Sequence, residues 1–310
     1  MSRILVTGGM GFIGQHAVKA LEDAGHELLL VTRKQIEAKT SGAFLYGDLL
    51  KEGEPERIVK EARAEYLLHL AWETEHGHFW NAESNYLWKK QSINLVTSFW
   101  EQGGHRAVCA GSCAEYDWSA KTSESPLDEF HSPLLPETVY GQCKVDCFRA
   151  LESLSDQTHS LAWGRVFLLY GKGETGTRFV PSIITSLLDD CEAKMSSGSQ
   201  VRDFLDSRDV GRAFAALTMS DVLGAVNISS GTGVQLIDVA KMIGELIGKS
   251  ELIKPRAFPD RAGEPLNLVG VNQRLTDEVG YIPEYPLEKG LSDAIQYWRS
   301  GMVKGDVSCE

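Results

Sequence analysis

Four glycines crowd into VTGGMGFIG, between Val6 and Gly14, directly after the apolar run RILVT and directly before a helix-patterned stretch. Gly8, Gly11 and Gly14 have the spacing of a tight strand-to-helix turn. Such a turn needs one residue free of the usual backbone limits, a backbone stripped of Cβ atoms where something lies against it, and close helix-to-sheet packing. The helix that follows offers unpaired N–H groups and the positive end of its dipole, a natural seat for phosphate. The same triplet can also form a tight turn with no ligand. Its position on the first strand of an alternating pattern favours a dinucleotide, with Phe12 and Ile13 as further contacts.

That alternation dictates the fold class. Short apolar runs, RILVT, ELLLVT, AFLYG, EYLLHL, RAVCAGS and HSLAWGRVF, are separated by amphipathic stretches near residues 12–24, 54–64, 81–103 and 140–157. Parallel strands need crossovers, usually helical and right-handed, so this order predicts a doubly wound α/β sheet of Rossmann-like type. After about residue 170 the pattern loosens. YGKGETGTRF and KMSSGSQVRDF read as loops, VPSIITSLLDD as a helix, GAVNIS as a short strand, and residues 209–219, 236–248 and 287–300 as helices. The expectation is a dinucleotide-binding domain over residues 1–170 and a smaller α+β substrate lobe over 171–310, with parts near 205–230 returning to the first domain.

Charge narrows the partners. A formal net charge of -12 argues against a nucleic-acid binder, which needs clustered cations, but leaves room for a small anionic ligand gripped by a few arginines. No apolar run approaches the 18 or so residues of a membrane span and no secretory leader is recognisable, so the expectation is a cytoplasmic protein whose six cysteines stay reduced.

Candidate chemistry gathers at strand ends. Arg33 and Lys34 stand at the end of the second strand, where an NAD site usually carries an acidic residue; cations there suit the 2′-phosphate of NADP, although a solvated basic loop has the same composition. Asp48, with Leu49, follows the third strand and is a candidate to border the adenine. VYGQCK places Tyr140 and Lys144 four residues apart, on one face of a helix. A free phenol titrates near pH ~10, so proton exchange at neutral pH asks for a shift of roughly three pH units, about 4 kcal/mol. The Lys144 ammonium is expected to supply part of it. Ser112 closes the fifth strand, where a parallel sheet presents its ligand crevice.

Taken together, TGGMGFIG, the strand end HLA at His69 to Ala71, Ser112 and the Tyr140/Lys144 pair resemble the extended short-chain dehydrogenase/reductase family, in the branch that acts on nucleotide sugars. RVFLLYGKGE, VRDFLDSRDVGRAF, GAVNISSGTGV, RAGEP and the closing GYIPEYPLEKGLSDAIQYW continue the likeness over nearly the whole chain. The resemblance implies that Tyr140 is the acid/base, that Lys144 activates it and binds the ribose, that Ser112 orients the substrate, and that Leu70 and Ala71 contact the cofactor. It also implies that Arg202 and Arg261 face the diphosphate of a nucleoside-diphosphate sugar, with Arg178 as a third candidate, and that the protein is a homodimer through residues 81–103 and 140–157.

The sequence departs from the family pattern in places. Leu168 stands where an Asn usually meets the substrate, Lys172 replaces a Pro, Asn272 replaces an Asp, and the helix holding Asn85 and Trp88 lacks N-V-x-G-T. The dehydratases of this family carry Asp-Glu directly after the hydroxyl residue; here Cys113 and Ala114 follow, which argues against dehydration. Cys113 is itself a candidate acid/base if its thiol is acidified; otherwise it is a small residue buried at a strand end. The resulting expectation is an oxidoreductase that uses NADP to reduce a nucleoside-diphosphate 4-keto-6-deoxyhexose. The alternatives are a 4-epimerase with tightly held NAD and a non-catalytic NAD(P)-binding sensor.

Overall fold

The computed structural model describes residues 1–35, 40–75, 77–119 and 125–301. In chain order the first half runs β1 (Arg3–Thr7), α1 (Gly14–Asp23), β2 (Glu27–Thr32), β3 (Ala43–Tyr46), α2 (Glu54–Ala62), β4 (Tyr66–His69), α3 (Ser84–Glu101), β5 (Arg106–Ser112), α4 (Val139–Leu154) and β6 (Ser160–Val166). The second half runs β7 (Leu168–Tyr170), α5 (Phe179–Leu188), β8 (Ala193–Lys194), β9 (Val201–Asp206), α6 (Ser207–Met219), β10 (Gly224–Ile228), β11 (Gly233–Gln235), α7 (Leu236–Ile247), β12 (Ile253–Lys254), β13 (Asn267–Leu268) and α8 (Leu287–Gly301).

Seven of these strands form one parallel sheet in the order β3-β2-β1-β4-β5-β6-β10. Strand side chains alternate between faces, so each apolar run feeds two cores. Leu5, Leu29, Val31 and Leu67 pack one face with Leu95, Phe99, Cys147 and Phe148 of α3 and α4. Ile4, Val6, Leu30 and Leu68 pack the other with Ala17 and Val18 of α1 and Val210 and Phe214 of α6. The expected doubly wound sheet is therefore the observed one. Strand order reverses at β1, between β2 and β4, and such a switch point opens a crevice at the carboxyl ends of the strands.

A third core lies outside the sheet, where α5, α7 and α8 enclose Ile183, Ile184, Val239, Ile243 and Leu291. Its small sheets include β9, within a segment whose composition predicts a loop. Arg202 and Asp203 are buried in that strand because both are paired: Arg202 with the carbonyls of Val201 and Pro265 and with Glu264, Asp203 with N–H groups of Ser230, Gly231 and Gly270. A buried charge is tolerable once partners neutralise it. No helix among the described residues is long and apolar enough to cross a membrane.

Candidate active site

The glycine turn lies at the switch point. Gly8 has φ +69°, in the left-handed region that disfavours side chains, and the Gly11 N–H closes the turn on the Gly8 carbonyl at 3.0 Å. A Cβ on Gly14 would stand 2.1 Å from that same carbonyl oxygen, and one on Gly8 would stand 2.7 Å from the Ala71 nitrogen. The turn is thus pressed between α1 and the end of β4. No side chain caps the amino end of α1, and its first turn carries no acidic residue. The cradle therefore presents backbone N–H groups to an anion, and it fits a dinucleotide pyrophosphate. Leu70 and Ala71 adjoin it, their N–H groups bonded to the Thr7 carbonyl and hydroxyl. Arg33 and Lys34 are exposed beyond β2; Asp48 is half-buried beyond β3, its side chain receiving the Leu50 N–H, and Leu49 is buried.

Ser112 and Tyr140 meet because two segments press together. Thr138 caps α4 by accepting the Gly141 N–H at 3.1 Å, and Gly141 lies so near the turn after β5 that a Cβ would be 2.2 Å from the Ala114 carbonyl oxygen. The Tyr140 ring, 7% exposed, is thereby held beside the Ser112 hydroxyl. Burial pushes the phenol well above its ordinary value; Ser112 hydrogen bonding and the Arg178 guanidinium pull the other way, while Glu115 and Cys113 add to the rise. The ring is a protonated phenol at neutral pH.

Lys144 lies one turn further along α4. Its ammonium donates to the Ala110 carbonyl at 2.7 Å and stands 3.7 Å from the centroid of the Trp72 ring. Burial lowers its pKa to about 8. The Ser112 hydroxyl and Arg178 favour the Tyr140 phenolate, while the Lys144 ammonium, 5.8 Å from the Tyr140 ring centroid, is bonded to the Ala110 carbonyl and lies over the Trp72 face.

Other expected residues take different places. Cys113, a candidate acid/base, packs with Tyr116, Leu127, Phe167 and Leu268, and burial pushes its thiol up to about 12; a packed neutral thiol does not exchange protons at neutral pH. Arg202, expected at the diphosphate, is 4% exposed with its guanidinium engaged by two carbonyls and by Glu264 at 2.7 Å. Arg261 is exposed on the loop that carries Glu264. Arg178, at the amino end of α5, is the arginine whose charge reaches Tyr140. It also acts on Glu174, a carboxyl with one buried, unpartnered oxygen that burial lifts to about 8.

Further residues shape the site, and the sequence gives the aromatic ones among them no assigned place. Glu115, fully buried, accepts the Ser112 N–H, the Trp163 indole N–H and the Arg165 guanidinium at 2.7–2.8 Å, and so fixes the end of β5. Aromatic rings surround Tyr140: Phe79 at 4.9 Å, Trp80 at 5.9 Å and Trp72 at 6.2 Å, all nearly perpendicular to it, with Trp118 5.9 Å from Trp80. The aromatic density of AWETEHGHFWNAESNYLW was the available signal.

Residues 4–229 match the model of the NAD dependent epimerase/dehydratase family. The dTDP-6-deoxy-L-talose 4-dehydrogenase (NAD(+)) of Aggregatibacter actinomycetemcomitans is 28% identical over 86% of this chain and 98% of its own length. The UDP-glucose 4-epimerase of Corynebacterium glutamicum is 24% identical over 99% of this chain and 98% of its own. Among solved structures, the UDP-glucose 4-epimerase of Thermotoga maritima with UDP-glucose superposes with a TM-score of 0.84 at 23% identity, covering 96% of this chain and 99% of that one.

Proposed function

The chain belongs to the NAD-dependent epimerase/dehydratase family, and we propose that it reduces the 4-keto group of a nucleoside-diphosphate 6-deoxyhexose, with Tyr140 as proton donor. The family consists of enzymes that act on nucleotide sugars with a nicotinamide dinucleotide, which supplies or accepts hydride when bound. The work of this chain's residues is to bind, orient and move one proton.

The observation that carries the reading is the protonated phenol of Tyr140 beside the Ser112 hydroxyl. Reduction of a ketone needs a donor at the carbonyl oxygen, and a phenol kept protonated by burial is that donor. Ser112 holds the same oxygen by a second hydrogen bond. The glycine cradle and α1 hold the pyrophosphate, and Lys144 reaches the ribose. Arg178 and Arg261 meet the sugar diphosphate. Arg33 and Lys34, exposed beyond β2, make NADP the preferred cofactor over NAD. The likeness to a dTDP-6-deoxy-L-talose 4-dehydrogenase supports a 6-deoxyhexose with chemistry at carbon 4. We also assign a homodimer contact to α3 and α4, where Tyr86 and Leu87 are exposed apolar side chains.

The likeness to UDP-glucose 4-epimerases keeps one rival in view, and a single experiment separates the two. The protein is incubated with a nucleoside-diphosphate 4-keto-6-deoxyhexose and either NADPH or NADH, and the loss of reduced nicotinamide absorbance is followed. One cofactor oxidised per sugar, faster with NADPH, is the expected result. Inversion at carbon 4 of a UDP-hexose without cofactor consumption would replace the reductase by the epimerase, and a faster rate with NADH would overturn the NADP assignment.

A further inference from the structure

We propose that Phe79, Trp80 and Trp118 form an apolar wall that reads carbon 6 of the hexose, accepting a methyl group and disfavouring a hydroxymethyl. The inference rests on the nucleotide-sugar reading of the site and adds to it the residues that choose the sugar.

The wall adjoins the Tyr140 ring, which lies beside Ser112, where the proposed reading seats the sugar. Phe79 and Trp80 follow the carboxyl end of β4 and Trp118 follows that of β5, the two neighbouring strand ends that open the crevice. Phe79 and Trp80 are 4.3 Å apart, and both face Tyr140 edge to face. Trp80 then meets Trp118 at 73°, so the rings run without a break from the proton donor to the segment after Ser112.

Its surface is mainly ring carbon. The Trp118 indole N–H donates to the Cys113 carbonyl at 2.9 Å, and Phe79 has none to offer. The faces of such rings attract C–H groups of a sugar and give no partner to a hydroxyl.

The wall is also held in place. The Asn85 amide, 1% exposed, donates to the carbonyls of Phe79 at 2.7 Å and Ala82 at 2.9 Å, and its oxygen receives the Trp72 indole N–H. Asn81 receives the Val139 N–H at the start of α4. The segment bearing Phe79 and Trp80 is therefore tied to α3 on one side and to the helix of Tyr140 on the other. A platform fixed at both ends presents the same shape to every ligand, as discrimination requires.

The test measures binding rather than turnover. NADPH-loaded protein is titrated calorimetrically with two fully reduced, hence unreactive, sugars that differ only at carbon 6: a nucleoside-diphosphate 6-deoxyglucose and the corresponding nucleoside-diphosphate glucose, each as the thymidine and uridine form. The wild type is expected to bind the 6-deoxy sugar roughly 10–100-fold more tightly, the cost of one hydroxyl left without a partner. Trp80→Ala should bring the two within about threefold by admitting water, whereas Trp80→Phe should keep most of the preference. Unchanged affinity of both variants for NADPH and for the free nucleoside diphosphate shows that they are folded and that the loss is confined to the sugar. Equal affinity of the wild type for both sugars, or a preference that survives Trp80→Ala, overturns the wall. The reductase reading fails by a different result, the absence of NADPH consumption with the keto sugar, which leaves a measured 6-deoxy preference standing.

Discussion

Replacing Lys144 with Met should make the cofactor-free protein relatively more stable near neutral pH, even as it removes the residue proposed to reach the ribose. Lys144 is 3% exposed, and burial lowers the pKa of its ammonium from an ordinary 10.5 to about 8. Folding therefore disfavours the charged form by about 3 kcal/mol, at ~1.36 kcal/mol per tenfold change in proton affinity. The sign follows from proton linkage. Between pH 8 and 10.5 the unfolded chain binds a proton at this lysine that the folded chain releases, so wild-type stability gains from rising pH through that window. Below pH 8 both states are charged and the full penalty applies. Met fills a similar volume without charge, but it loses the contacts to the Ala110 carbonyl and the Trp72 face, so the absolute difference at one pH mixes several effects. The change of that difference with pH isolates the proton. Urea unfolding of wild type and Lys144→Met at pH 7 and pH 10.5 should give a stability difference that shifts by about 3 kcal/mol in favour of the wild type at the higher pH. Other tyrosines and thiols titrate in both proteins and cancel. A difference constant to within about 0.5 kcal/mol would refute the buried-ammonium argument.

Tyr140→Phe should lower kcat by at least about a hundredfold while leaving NADPH affinity within a few-fold, since it removes the proton donor and keeps the ring packed among Phe79, Trp80 and Trp72; steady-state kinetics and fluorescence titration check the two halves. Gly14→Ala should cost roughly 1–3 kcal/mol in urea unfolding and weaken cofactor binding, because its Cβ would sit 2.1 Å from the Gly8 carbonyl oxygen and push the cradle open. His69 should set an acid limit. Its two ring nitrogens are held by the hydroxyls of Thr7 and Ser92 at 2.6 and 2.8 Å, and burial lowers its pKa from 6.5 to about 3. The unfolded chain takes up a proton below pH 6.5 that the folded chain refuses until about pH 3, so roughly 2 kcal/mol is lost between pH 6.5 and 4.5; His69→Gln should remove that share of the slope in pH-dependent unfolding.

The strands of the main sheet were legible because both of their faces are buried, so RILVT and ELLLVT are nearly continuous apolar runs. β9 was not. Its Arg202 and Asp203 look like loop residues until their partners are known, and those partners, Ser230, Gly231, Glu264, Pro265 and Gly270, lie 27–67 residues away. The site divides along the same line. The glycine turn and the Tyr140/Lys144 spacing are local, and local periodicity reports them. The Trp72 face over Lys144 and the Glu115 contact to Arg165 join distant segments, which no local pattern encodes. Cys113 was ambiguous for the same reason, since only the packed cluster around it distinguishes a buried thiol from an acidified one.

Glu115 shows what that hidden layer does to the chemistry. A carboxylate three residues after Ser112 is well placed in sequence to be a second acid or base. In the fold its two oxygens accept three N–H donors, from Ser112, Trp163 and Arg165, so most of its roughly four acceptor sites are used in holding the end of β5. The two residues directly after Ser112 are Cys113, packed and neutral, and Ala114, which has no titratable group. The phenol of Tyr140 is the titratable group beside Ser112 to which the proposed reading gives the proton. One proton together with one hydride suffices to interconvert a ketone and an alcohol. Expulsion of water from the neighbouring carbons needs a further acid and base, which under the proposed reading are not called for.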